Sequence, residues 1–126
     1  MPKATEHSRV AVLGASPKTD RFSFKAVHML KDFGHTPIPV HPAGHTVDGV
    51  SGLKSLDDIT EPVDTLTMYV GPDISNGELE KILRLKPRRV IFNPGSENEP
   101  LAEKLEAAGI EVVRACTLVM LRTAQF

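Results

Sequence analysis

The chain has one cysteine, Cys116, one tyrosine, no tryptophan and no marked excess of either charge. A single cysteine excludes an intramolecular disulfide and leaves no second thiolate for a Cys/His zinc site. A formal net charge of -1 over 126 residues argues against general nucleic-acid binding, which needs a broad basic surface. No apolar run approaches the ~20 residues of a membrane-spanning helix. The polar, charged stretch from Met1 to Arg9 does not read as a secretory signal. The expectation is a cytoplasmic protein with neither nucleic-acid nor membrane partners.

What is present fits one folded domain. Hydrophobic residues make up 40% and charged residues 25%, a globular composition. The domain is expected over residues 9–126, with 1–8 as a loose leader. Five segments read as strands: Arg9–Leu13, Thr36–Val40, Val63–Val70, Arg89–Phe92 and Ile110–Arg114. Helical stripes separate most of them, over about Ser23–Phe33, Ile74–Leu85, Pro100–Ala108 and Thr117–Thr123. Between His41 and Pro62 a loop is expected, then a short helical turn carrying Leu53, Leu56 and Ile59. The alternation predicts an α/β fold: a Rossmann-like, doubly wound parallel sheet of five strands in the order 3-2-1-4-5, with helices on both faces. Pro37 and Pro39 are unusual for the central strand that this order makes of strand two.

A parallel sheet puts all strand ends on one edge, and ligands of open α/β sheets bind outside the carboxyl edge. Each strand here ends in small, polar or special residues: Gly14-Ala15-Ser16, His41-Pro42, Gly71-Pro72, Asn93-Pro94-Gly95 and Ala115-Cys116. The first turn is the most informative. Gly14 lets the backbone turn and approach a ligand, Ser16 offers a hydroxyl, and a helix N-terminus follows. Lys18, Arg21 and Lys25 stand against one acid, Asp20. An anion, above all a phosphate, suits this place. The same residues would also serve a bare strand-to-helix turn. The dinucleotide fingerprint G-x-G-x-x-G is absent, since Ser16 and Thr19 occupy its later glycine positions. No acid ends strand two to grip a ribose.

The run Val12-Leu13-Gly14-Ala15-Ser16-Pro17 through Arg21-Phe22-Ser23-Phe24-Lys25-Ala26 resembles the opening of the small, stand-alone CoA-binding proteins. These are similar to the N-terminal CoA-binding domain of the succinyl-CoA synthetase α subunit. Pro39-Val40-His41-Pro42, Val63-Asp64-Thr65-Leu66, Asn93 to Asn98 and Ala115 to Leu121 continue the pattern. The resemblance implies coenzyme A or an acyl-CoA as the ligand. It implies that Gly14, Ala15 and Ser16 approach the pyrophosphate and ribose, and that Lys18 and Arg21 neutralise phosphate. Val40, His41 and Pro42 would border the adenosine. Tyr69, Val70 and Gly71 would line the neighbouring wall, and Asn93, Pro94 and Gly95 would face the pantetheine. Many relatives carry Asn where this chain has His41, and an Arg where it has Val70-Gly71-Pro72. The synthetase's second domain, with its phosphorylated histidine, lies outside what the resemblance covers, so its chemistry is not carried over.

Other residues bear on chemistry. Cys116 follows strand five, on the ligand edge, where a mixed disulfide with the CoA thiol is conceivable; a small buried hydrophobe is the plainer alternative. No two of the five histidines have the spacing of a helical zinc motif. Asp73, Glu97 and Glu99 suit helix starts. No nucleophile, base and orienter line up, so nothing here assigns catalysis. The expected function is non-catalytic binding of CoA or an acyl-CoA, a small-molecule nucleotide ligand. The alternatives are an NAD(P)-binding, oxidoreductase-like domain, and a regulatory or scaffold protein with a vestigial pocket. Leu118-Val119-Met120-Leu121 leaves room for a protein partner or a homodimer, or packs on the sheet.

Overall fold

The computed structural model describes residues 7–126. Five parallel strands, β1 (Arg9–Leu13), β2 (Thr36–Val40), β3 (Thr65–Met68), β4 (Arg89–Phe92) and β5 (Glu111–Arg114), form one Rossmann-like sheet. Helices α1 (Phe22–Asp32), α2 (Pro72–Ser75), α3 (Leu79–Leu85), α4 (Glu99–Ala107) and α5 (Thr117–Arg122) flank it. Residues 1–6 of the expected leader lie outside the described residues. Its last two are held: His7 bonds the Gly34 carbonyl (2.8 Å), and the Ser8 N–H donates to His35 (3.1 Å).

Strand alternation sorts the apolar residues onto two faces. Val10, Val12 and Ile91 meet Val27 and Leu30 of α1 and Met120 and Leu121 of α5. Ala11, Leu66, Met68, Val90 and Phe92 meet Ile82 of α3 and Leu101 and Leu105 of α4. The sheet is therefore doubly wound. Of the run Leu118 to Leu121, three side chains are buried in this packing and Val119 is half exposed.

The strand order is β2-β1-β3-β4-β5, not 3-2-1-4-5. The prolines of β2 explain the difference. Thr36 donates its N–H toward β1, to Ser8, and His41 donates outward, to Leu53. Alternation therefore points the nitrogens of Pro37 and Pro39 outward as well. That side has no N–H at two positions and takes only a single bridge, from Leu53, rather than a full neighbouring strand. β2 is thus an edge, and β3 crosses back to pair with β1 instead.

Other boundaries moved too. The helix expected over 74–85 is divided into α2, a 3-10 turn at Asn76–Glu78, and α3. Asn76 and Gly77 are weak helix formers, and Asn98 binds both Ser75 and Asn76 there (2.9 and 2.8 Å). β3 is confined to Thr65–Met68, with Tyr69 still donating to Leu13 (2.9 Å).

At the amino edge the chain closes on Phe126, 1% exposed, between the His35 ring (5.0 Å) and the Arg89 guanidinium (4.4 Å). His35 accepts the Ser8 N–H at Nδ1, which leaves its proton on Nε2, buried without a partner among the described residues. Burial, aided by His7 and Arg89 and opposed by Asp64, lowers its pKa from the ordinary 6.5. The unfolded ring then takes a proton more readily than the folded one. Stability from this site is complete above pH 6.5 and falls as pH drops through 6.5 toward the folded value. Urea midpoints should decline across that window, and His35→Gln should flatten the decline. An unchanged slope in the variant would assign it to other groups.

Candidate functional site

The chain runs from β1 to β2 on one side, then back past β1 to β3, so the topological switch lies between β1 and β3. Two adjoining cavities open at the carboxyl ends of these strands. They share a wall made by Gly14, Tyr69, Val70 and Gly71. The first, about 270 Å³, reaches toward Arg21 and Ser23 of the α1 start and to Pro94, Gly95 and Ser96 after β4. The second, about 410 Å³, reaches toward Val40, His41 and Pro42 after β2 and to Lys54 and Lys81.

Gly14 makes the shared wall. Its φ is +91°, and a Cβ there would lie 2.7 Å from Val70 Cγ1 and 2.9 Å from the Tyr69 carbonyl oxygen. Only glycine combines that backbone with that approach. The close contact is with the residues that follow β3, so glycine is required even before a ligand is considered.

The N–H groups of the turn are engaged internally. Gly14 and Ala15 both donate to the Val40 carbonyl (2.8 and 3.3 Å), Ser16 donates to Ser23 Oγ (3.1 Å), and Lys18 donates to Ser16 Oγ (3.2 Å). These N–H groups are therefore spent within the fold and form no cradle for a ligand. The donors lie one step on. α1 has no side-chain cap at Arg21. The first N–H groups of a helix lack intrahelical acceptors, and those of Phe22 and Ser23 belong to residues lining the first cavity.

Most expected site residues reach the cavities. Gly14, Ser16, Arg21, Val40, His41, Pro42, Tyr69, Val70, Gly71, Pro94 and Gly95 all line one or both. Ala15 is fully buried, Lys18 is exposed beside the site, and Cys116 is half buried at the α5 start; none of these three lines either cavity. His41 stacks on His45 (4.8 Å), with its Nδ1 accepting the Ala43 N–H (3.0 Å).

Asn93 is also absent from the walls. Its Nδ2 donates to Thr67 Oγ1 (2.7 Å) and to the Met68 carbonyl (2.8 Å), and its Oδ1 accepts the Thr117 N–H (2.8 Å). It is 3% exposed. Alternation along β4 puts it on the face of Arg89 and Ile91, where α5 begins. It joins β3, β4 and α5 and holds the loop that carries Pro94, Gly95 and Ser96. Glu97 accepts the Gly95 N–H (2.9 Å) in the same loop. The Tyr69 hydroxyl is buried beside Thr67 and Thr117, which bond each other (2.7 Å) and leave it no partner among the described residues. Burial, then the neighbouring Cys116, pushes its pKa up, so it stays neutral.

Several lining residues were not anticipated. Phe22, 66% exposed, and Ile74, 57% exposed, are apolar side chains on the rims. Lys54, Ser55, Glu78 and Lys81 come from the long loop after β2 and from the broken helix. An apolar residue next to Arg21 was a readable signal for Phe22; the others depend on how a loop folds back.

Residues 8–122 match the CoA binding domain family. The chain belongs to that family. YneT, an uncharacterized protein of Bacillus subtilis (strain 168), is 29% identical over 105 residues, 83% of this chain and 78% of its own. An uncharacterized protein of known crystal structure shares 44% identity at TM-score 0.91, over 96% of this chain and 99% of that one. Dinucleotide-forming acetyl-coenzyme A synthetase 1 of Ca. Korarchaeum cryptofilum has the same fold in part of its length, at TM-score 0.74 and 19% identity, over 88% of this chain and 26% of that one. Membership in the CoA binding domain family and the shared fold support a nucleotide- or CoA-related binding role.

Proposed function

We propose that this protein binds coenzyme A or an acyl-CoA, without catalysis, across the two cavities at the carboxyl edge. The observation that carries the reading is the uncapped α1 start with Arg21 at the first cavity. Helix N–H groups and a guanidinium together suit a diphosphate. The adenosine then lies toward Val40, His41 and Pro42, and the pantetheine runs along Pro94 and Gly95. The cavity sizes suit a segmented ligand of this kind. A kinship with the succinyl-CoA synthetase α subunit, and a cytoplasmic setting, belong to the same proposal. The rival NAD(P) reading lacks an acid after β2, where His41 stands.

Native mass spectrometry with CoA, acetyl-CoA, NAD and NADP in competition tests the ligand. A retained CoA-sized adduct is expected. Arg21→Ala should weaken CoA at least tenfold in a calorimetric titration, the loss of about 1.5–3 kcal/mol for a charged hydrogen bond. Lys18→Ala should weaken it less, because Lys18 stands outside the cavity walls. Equal affinity in wild type and Arg21→Ala would remove the diphosphate seat. Failure of every nucleotide to bind would favour a vestigial pocket, the reading to which the absence of an arginine at Val70-Gly71-Pro72 lends support.

A further inference from the structure

We infer that Lys54 and Lys81 form a second anion seat, for a phosphate monoester carried on the ligand's ribose. The inference rests on the CoA reading only for which ribose oxygen bears the phosphate. The first cavity already holds one cationic centre, Arg21. The second brings two lysines to the wall that carries Val40, His41 and Pro42. A ligand crossing the shared Gly14–Val70 wall therefore meets positive charge at two separate places, which fits a nucleotide phosphorylated at two separate places.

The lysines are held where they are. Leu53 bridges the outer side of β2, donating to the Pro39 carbonyl (2.9 Å) and accepting the His41 N–H (3.0 Å), so the residue after it is fixed beside the β2 end. The Lys54 stem lies over Gly44, where a Cβ would come within 3.2 Å of Lys54 Cγ. Ser55 then caps the turn at Leu56–Asp58. Among the described residues Lys54 has no acidic partner within ion-pair distance. Lys81 meets Glu78 at 3.8 Å, a long contact. Glu78 is the one carboxylate on this cavity wall. It leaves the wall net positive, and a carboxylate there can accept a ribose hydroxyl or an adenine amino group.

The chemistry has two sources, the 3′-phosphate of CoA and the 2′-phosphate of NADP, and the test separates them. The full chain is titrated with CoA, dephospho-CoA, NADP and NAD, as wild type and as Lys54→Gln, Lys81→Gln and the double variant. Both lysines are solvent-accessible, so the variants should keep the wild-type melting curve. CoA should bind at least tenfold more tightly than dephospho-CoA. The double variant should erase that difference and leave dephospho-CoA unchanged. Equal binding of CoA and dephospho-CoA by wild type, or a difference that survives in the double variant, would overturn the lysine seat and leave the CoA reading standing. Preference for NADP over NAD and over CoA, lost in the double variant, would keep the seat and overturn the CoA reading. No binding of any of the four would overturn both.

Discussion

Asn93→Leu should cost about 3–5 kcal/mol of stability and lower the melting temperature by on the order of 10 °C. The two side chains have the same branched arrangement of heavy atoms, so the main loss is polar, with some overpacking from the larger methyls. Leucine leaves the Thr117 N–H and one Thr67 acceptor position without Asn93, in a site where Asn93 is 3% and Thr117 0% exposed. Unsatisfied buried groups cost about 1–3 kcal/mol each. Asn93→Asp provides the matched control. It keeps the acceptor for Thr117 and loses the donor to Thr67 and Met68. A buried carboxylate facing a carbonyl has a raised pKa, so the folded state holds its proton better than the unfolded one. Stability of that variant should therefore rise as pH falls. Thermal melts at neutral and mildly acidic pH read both effects. A leucine variant as stable as wild type would mean that the network does not hold this edge together.

The architecture was legible because strands buried on both faces write themselves as short apolar runs ending in glycine, proline or asparagine. The strand order was not, although its cause was in view. Pro37 and Pro39 announce an edge, but only the direction of the Thr36 and His41 N–H groups tells which side is closed. The site divides in the same way. Residues at strand ends reach the cavities because topology alone takes them there. Asn93 lies off the cavity walls because a strand end has two sides, and the alternation through Arg89 and Ile91 turns it inward. The N–H groups after β1 are spent on Val40 and Ser23, acceptors too distant in sequence for the local pattern to show it. Lys54 and Lys81 depend on a loop folding back against β2 and a helix breaking at Asn76–Glu78, which no local pattern encodes.

Gly14→Val should be the most damaging substitution on the ligand edge, and for two separable reasons. At φ +91° a β-branched residue is strained, and its Cβ meets Val70 and the Tyr69 carbonyl well inside ordinary contact. The backbone term alone is about 1–2 kcal/mol, and overpacking adds about 1–3 kcal/mol. A stability loss of about 3 kcal/mol is expected from urea unfolding. Relief can come from moving β3's end away from β1, and that movement deforms the wall shared by both cavities. Ligand binding should then be lost even at temperatures where the variant is fully folded. Gly14→Ala keeps the strain but carries less bulk, so it should lose less stability and retain weak binding. If Gly14→Val folded with the wild-type urea midpoint and bound CoA like wild type, the tight β1–β3 approach would be irrelevant to the site. If it lost stability but kept affinity, the ligand would lie away from the shared wall, and the seat at Arg21 would have to be sought on the outer side of α1.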